Sequence, residues 1–338
     1  MLTALTVLGI ALAVTHTVVN GFHDAPNALA LPVRFRALTP RVGLVFTALV
    51  NVAGVWAAAY LLADWVITGV PVPHSVVGSA TIVCALVTTI GWNLLTWRWG
   101  MPSSSTTALA GGLLGALLGA RAVGLPAVDP LTATAFYQVV VPLVLAPLVA
   151  YAAAWVLVVP LLHLLRHSEP DATTFRSRLV LAIGAAAVSF GHGIHHGRRA
   201  VWVLATLLLC AGLQDPLAGG AGPWLFLLVA TGLAVGTLFG AWRIAYTLSS
   251  RMITTDPFRG AVAQGVAGSL LFLGGTLIPV PMSTSQTTAA AILGAGRQQR
   301  FHTVNVRVVR RVLLVWVLTV PACGVLSGTL LLALSPLL

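Results

Sequence analysis

The sequence predicts an all-α polytopic membrane protein, a helical bundle built as an internal repeat with two re-entrant segments. Three observations lead there. Hydrophobic residues fill 58% of the 338 positions and charged residues only 7%, against about 25% charged in a typical soluble domain. Apolar stretches of about 20 residues, the length that crosses a bilayer as a helix, recur along the whole chain. Two unlike polar motifs appear in the same order in each half. This composition excludes a water-soluble enzyme, a disordered tail and a nucleic-acid binder, because too little charge is present to cover a surface in water.

Charge and cysteine agree with that class. All 18 basic residues are Arg, and Glu169 is the only Glu among 7 acids, for a formal charge of +11. The arginines sit between apolar stretches, where they meet lipid headgroups and bias topology. Cys84, Cys210 and Cys323 lie scattered in apolar stretches with no CxxC spacing, so they read as small buried hydrophobes. Met1 to Val19 lacks a basic leader region and reads as part of the first span.

In order along the chain, the expected spans are 2–33, 43–62, 75–97, 133–161, 179–213, 223–242, 260–279 and 312–334. Residues 102–120 and 281–296 are Gly-rich and open on Ser/Thr clusters. They are expected as re-entrant segments, which survive at membrane depth only when wrapped in protein. The least apolar stretch, 163–178, is expected to be a connecting loop between a first repeat, 1–162, and a second, 179–338. Trp92, Trp97 and Trp99 are expected in an interfacial belt.

The repeat rests on two pairs of motifs. NGFHDAPNA (20–28) and GHGIHHGRRA (191–200) each interrupt an apolar helix with polar residues. Later in each half comes Pro with a hydroxyl run, MPSSSTTALAGGLLGA (101–116) and VPMSTSQTTAAAILGAG (280–296). The interval is 78 residues from Asp24 to Pro102 and 85 from His196 to Pro281. Interrupted hydrophobic segments in matching positions of two halves point to a transporter binding site.

Ser103 to Thr107 follow Pro102, and Ser283, Thr284 and Ser285 follow Pro281. Hydroxyls before a Gly/Ala-rich apolar helix form an N-cap signature. A helix N-terminus carries free N–H groups and partial positive charge, which suit an oxyanion. Two such ends would clamp one anion. The plainer alternative is that the hydroxyls only cap or glue helices. Asp24 stands in an apolar segment, where a carboxylate is costly and usually functional. Asn27 lies three residues on, so both share one side of a turn. With unwound carbonyls nearby they suit a small hard cation or a proton. The alternative is an interhelical hydrogen bond or a pairing with a buried Arg. His192, His195 and His196 share one helical face by spacing, which permits a transition metal or, beside a substrate path, proton handling. No local Cys, Asp or Glu completes a metal site. Arg198 and Arg199 either add positive potential or snorkel to the interface.

These motifs resemble the inorganic phosphate transporter (PiT) family over essentially the whole chain. The family's GxNDxxNA is similar to Gly21–Ala28, with the bacterial GFHD variant matched directly. WNLLTWRWGMPSSSTTALAGG (92–112) resembles its WN–TW–G–P–SSSH–LIGG segment, HGIHHGRRA (192–200) its HGxNDxxKA, PMSTSQTTAAAILGAG (281–296) its PVSTTHxxSSAIxGxG, and WVLTVPACGVLSG (316–328) its closing helix. The resemblance implies an inverted-repeat bundle with two re-entrant hairpin segments. It also implies symport of inorganic phosphate driven by protons or sodium. Residue by residue it implies roles for Asp24 and Asn27, and for Ser104, Ser105, Thr106, Ser283, Thr284 and Ser285. Two departures stand out. His195-His196 occupy the family's Asn-Asp, so the second carboxylate is missing. Thr107 and Gln286 replace two histidines.

The expected function is therefore phosphate import by proton-coupled symport across a cell membrane, by a multi-pass transporter and not an enzyme. Ser104, Ser105, Thr106, Ser283, Thr284, Ser285 and Asn27 would bind substrate. Asp24, His23, His195 and His196 would carry the coupling charge, with a protonated His196 standing in for a cation. No cofactor or metal is expected. The expected partners are inorganic phosphate, a coupling cation and membrane lipid, with no nucleic acid; a homodimer is compatible with the sequence. The rivals are a transporter of another oxyanion such as sulfate, a membrane metalloenzyme using the His192/His195/His196 triad, and a degenerate, non-transporting scaffold or sensor.

Overall fold

Apolar runs of this length leave the backbone one way to satisfy its own polar groups in lipid, which is to coil. A computed structural model describes residues 1–61, 72–130, 141–213, 223–277, 282–299 and 304–338. The described elements are α1 (Leu2–Arg34), α2 (Pro40–Leu61), α3 (Val76–Trp99), α4 (Ser105–Ala122), α5 (Val141–Leu164), α6 (Pro170–Cys210), α7 (Pro223–Phe239), α8 (Trp242–Tyr246) with a π turn at Thr247–Arg251, α9 (Pro257–Thr276), α10 (Thr284–Arg297) and α11 (Val306–Leu334). Extended pairing among the described residues is limited to one isolated bridge, Ile253 with Val304. Among the described residues six helices are long and apolar enough to cross a membrane, and α7 with Trp242–Arg251, bent by 61°, would make a seventh. The bend falls where Gly240 takes a positive φ of 59°, a conformation Gly adopts without steric penalty.

Packing is reciprocal. α1 packs on α7 and α2 on α6; α4 packs on α11 and α10 on α5; α3 joins α4 as α9 joins α10. Small residues make these contacts close. A Cβ on Gly115 of α4 would lie 1.9 Å from the Gly324 carbonyl oxygen of α11. A Cβ on Gly193 of α6 would lie 2.3 Å from the Asn51 carbonyl oxygen of α2. Backbone-to-backbone approach of this kind is how helices associate where no water drives them together.

Several expectations change. α1 and α6 run unbroken through both polar motifs, so no unwound carbonyls flank Asp24. Instead, Pro26 and Pro32 sit inside α1. Pro32 has no N–H to give to the Ala28 carbonyl, four residues back. Gln264 of α9 reaches that carbonyl, and the Asn27 carbonyl, at 3.3 Å each. A neighbouring side chain thus replaces the missing backbone bond and keeps the helix intact. The connecting loop is shorter than 163–178, because Pro170 begins α6; Pro is pre-shaped for the first helical turn and Asp171 suits its positive end. Trp92 leaves the interfacial belt: it is buried and donates to the Thr319 hydroxyl at 3.1 Å. Trp99 remains exposed. All three cysteines are free and buried. Pro281, residues 133–140 of the expected span 133–161, residue 62 of 43–62 and residues 278–279 of 260–279 lie outside the described residues.

Candidate functional site

The two hydroxyl runs form helix starts. Ser104 precedes α4 and Ser283 precedes α10, both with extended backbone. Ser104 accepts the Thr107 N–H at 3.2 Å, and Ser283 accepts the Gln286 N–H at 3.3 Å. Each is a side-chain cap on one of the amides a helix start leaves unpaired. Ser103, Ser104, Ser105, Thr106, Ser283, Thr284 and Ser285 are all buried.

Both tips are tied to one short stretch of α1. Asn27 donates to the Ser285 hydroxyl at 2.9 Å, and Ser285 donates to Asp24 Oδ1 at 3.0 Å. The ring of His23 meets the same carboxylate oxygen through Nδ1 at 2.9 Å. Its Nε2 lies 3.3 Å from both the Ser103 and Thr96 hydroxyls, which are 2.8 Å from each other. A carboxylate only accepts, so Nδ1 carries the hydrogen and in the neutral ring Nε2 accepts. A hydrogen-bonded chain thus runs from α3 through Ser103, His23 and Asp24 to Ser285 at the head of α10. Ser105 accepts from Asn93 at 3.0 Å, and Thr106 accepts from Arg199.

This arrangement offers a helix start on each side, hydroxyl donors and acceptors, one guanidinium and one carboxylate. It also holds unused acceptors: Asn27 Oδ1, Asn93 Oδ1 and Gln286 Oε1 are buried without partners. Unpaired buried polar atoms are costly, and a bound group that donates to them would relieve that cost.

A model of the phosphate transporter family matches residues 20–327, which takes in both motif pairs and both hydroxyl tips. The chain belongs to the phosphate transporter family. A relative from Bacillus subtilis, described as a "Probable low-affinity inorganic phosphate transporter", is 30% identical over 97% of this chain and 96% of its own length. Another of the same description, from Streptomyces halstedii, is 40% identical over 56% of this chain and 86% of its own. A solved structure described as "The sodium-dependent phosphate transporter" superposes with a TM-score of 0.80, covering 99% of this chain and all of that one, at 18% identity. At that identity the likeness establishes the fold. This phosphate transporter is accordingly a multi-pass cell-membrane protein and not an enzyme.

The histidine triad does not converge. His192 and His196 of the transporter's α6 turn toward α1, where the His16 ring lies 5.7 Å from that of His196 between centroids. His195 turns to α9 and meets the Leu271 carbonyl at 3.1 Å. Residues three and four apart share a face only broadly, and close packing of α6 between α1 and α9 separates them. Among the described residues no group of three His, Cys, Asp or Glu is placed to hold a metal, which removes the metalloenzyme rival's site.

Sequence reasoning missed His16, Asn20, Asn51, Asn93 and Gln264. Each is a polar residue within an expected apolar span and is buried, and Asn20 and Asn93 lie inside the quoted motifs without being singled out. A polar side chain in an apolar segment, the same signal that marked Asp24, pointed to them.

Proposed function

We propose that this transporter imports inorganic phosphate by symport, with protons as the coupling ion. One observation carries the reading: the two capped helix starts converge on the same α1 stretch, His23–Asp24–Asn27, through Ser103 and Ser285. Phosphate sits between the tips. Backbone N–H groups, Ser104, Ser105, Thr106, Ser283, Thr284 and Ser285 replace its water, and Arg199 at Thr106 supplies fixed positive charge. Partial charges and one guanidinium offset dehydration without a full salt-bridge cage, which favours release over tight capture.

Phosphate is favoured over sulfate by the acceptors. A phosphate that carries a proton has an O–H to give to Asp24, Asn27 Oδ1 or Asn93 Oδ1. Sulfate has none and leaves Asn27 Oδ1 and Asn93 Oδ1 unpaired, which is the costly case.

Proton coupling is favoured by the charge inventory. The family's second carboxylate is replaced by His196, and Asp24 is already engaged by His23 and Ser285, with His192 Nε2 at 3.5 Å from its other oxygen. Imidazoles accept protons near neutral pH. The reciprocal helix pairing supports two repeats around this site, 1–162 and 179–338, whose relative motion would alternate access. The deciding experiment is labelled phosphate uptake into proteoliposomes with pH and sodium gradients imposed separately and sulfate as competitor. Uptake should follow the inward proton gradient and ignore sodium. A requirement for sodium would overturn the coupling, and equal competition by sulfate would overturn the substrate preference.

A further inference from the structure

The hydrogen bonds around His192 determine where its protons sit. The Thr237 hydroxyl of α7 donates to the Leu233 carbonyl at 2.8 Å. Its oxygen therefore accepts from Asn51 Nδ2, at 3.1 Å. That orients the Asn51 amide so that Oδ1 faces His192 Nδ1, at 3.2 Å. An amide oxygen only accepts, so Nδ1 carries a hydrogen. The second nitrogen, Nε2, lies 2.8 Å from Asn20 Oδ1 and 3.5 Å from Asp24 Oδ2. Both are acceptors as well. A proton added at Nε2 therefore meets oxygen acceptors, and the Asn20 amide, whose Nδ2 has no partner, can turn to suit the ring with or without it.

Two more rings continue from there. His196 lies 5.8 Å from His192 between centroids and His16 5.7 Å from His196, with ring planes tilted by 36° and 35°. His196 is fully buried and His16 nearly so. Both nitrogens of His196, and Nε2 of His16, have no hydrogen-bond partner. At such separations a proton crosses after a ring turn or through one water.

We propose that the coupling proton is carried on Nε2 of His192, held against Asp24 and Asn20, and reaches it from His16 through His196. This rests on the proton-coupled reading above. His16 and His196 each take a proton on one nitrogen and give one up from the other, and His192 takes and releases it at Nε2 while Nδ1 keeps its hydrogen on Asn51, so no covalent bond other than N–H changes. The charged groups that act on His16 are Arg199 and Asp24; on His196 they are Arg199 and Asp24, with the titratable His16 and His192. α2 faces His192 with the neutral Asn51, which Thr237 of α7 holds in place. Arg199, one turn beyond His196, gives the coupling its sense. A proton and a guanidinium side by side repel at low dielectric, and a phosphate bound at Thr106 and Arg199 relieves the repulsion. Substrate and proton then arrive together.

The test separates phosphate exchange from proton-driven uptake in proteoliposomes. Exchange, with equal phosphate and pH on both sides, returns a loaded carrier and needs no proton release. Wild type, His192→Gln and His16→Gln are each measured both ways. The expected result for both variants is exchange near the wild-type rate, with proton-driven uptake about a hundredfold slower, the lower end of what a positioned proton-transfer group contributes. If His192→Gln loses both activities, His16→Gln decides, because His16 touches neither Asp24 nor the hydroxyl tips by hydrogen bond and its Nε2 has no partner to lose. The proposal is overturned if His192→Gln keeps proton-driven uptake. It is also overturned if in His16→Gln that uptake is unchanged, or falls together with exchange. Wild type that exchanges phosphate but ignores a proton gradient overturns the coupling reading itself, and that failure appears in the wild-type arm alone.

Discussion

Asn27 and Ser285 are 258 residues apart in sequence and joined by a 2.9 Å hydrogen bond. This bond, continued from Ser285 to Asp24, fastens the head of α10 to α1. Replacing Ser285 by Ala leaves the Asn27 amide and an Asp24 oxygen short of a partner in a buried site. The expected cost is about 1–3 kcal/mol, read as a raised KM for phosphate in proteoliposome uptake. Ser285→Thr keeps the hydroxyl and should retain most of the affinity.

Asp24→Asn preserves shape and an acceptor oxygen for Ser285 while removing the charge opposite His23 and His192. Proton-driven uptake should be lost although the protein still purifies as a monodisperse species. Retained uptake under a proton gradient would remove Asp24 from the coupling machinery.

Arg199 donates to Thr106 at the head of α4. Arg199→Gln takes away the fixed positive charge and should raise the KM for phosphate about tenfold or more, the scale of one charge-assisted hydrogen bond. Arg199→Lys keeps a point charge without the planar fork and should fall between. The readout is initial uptake rate against phosphate concentration at constant pH.

Ser104→Ala and Ser283→Ala each remove an N-cap, at about 1 kcal/mol of helix stability apiece. The capped amides also define the proposed anion site. Both variants should therefore lower thermal stability in detergent modestly and reduce phosphate affinity by similar factors. A large loss in one and none in the other would contradict a site shared by both tips.

Gly115 tests the packing. A Cβ there meets the Gly324 backbone at 1.9 Å, and α4 cannot shift away because Gly111 and Gly119 touch the backbone of the same helix. Gly115→Val should abolish monodisperse protein. Gly91, with nothing within 4 Å of a built Cβ, should accept Ala with a gain of about 0.5–1 kcal/mol. Size-exclusion profiles and melting in detergent compare the two.

Much of this protein is legible in its residues because the relevant physics is local. The membrane class follows from apolar run length. The capped tips at Ser104 and Ser283 follow from hydroxyls placed before small apolar residues, and Asp24 stands out because a carboxylate in an apolar run is expensive wherever the fold puts it. Spacing also placed Asp24 and Asn27 together, and both bond Ser285. The continuity of α1 was not legible. It depends on Gln264 of α9 supplying what Pro32 withholds, and no local pattern names that donor.

The chain's own order of residues thus determined that it lives in a bilayer, that two hydroxyl-headed helices exist, and which carboxylate stands near them. Only the tertiary structure decided that both heads meet the same turn of α1, that His195 looks away to α9, and that His16 and His192 belong with His196. The physical reason is that a helix turns about 100° per residue. Which neighbour a buried polar group meets is then set by how helices hundreds of positions apart pack against one another.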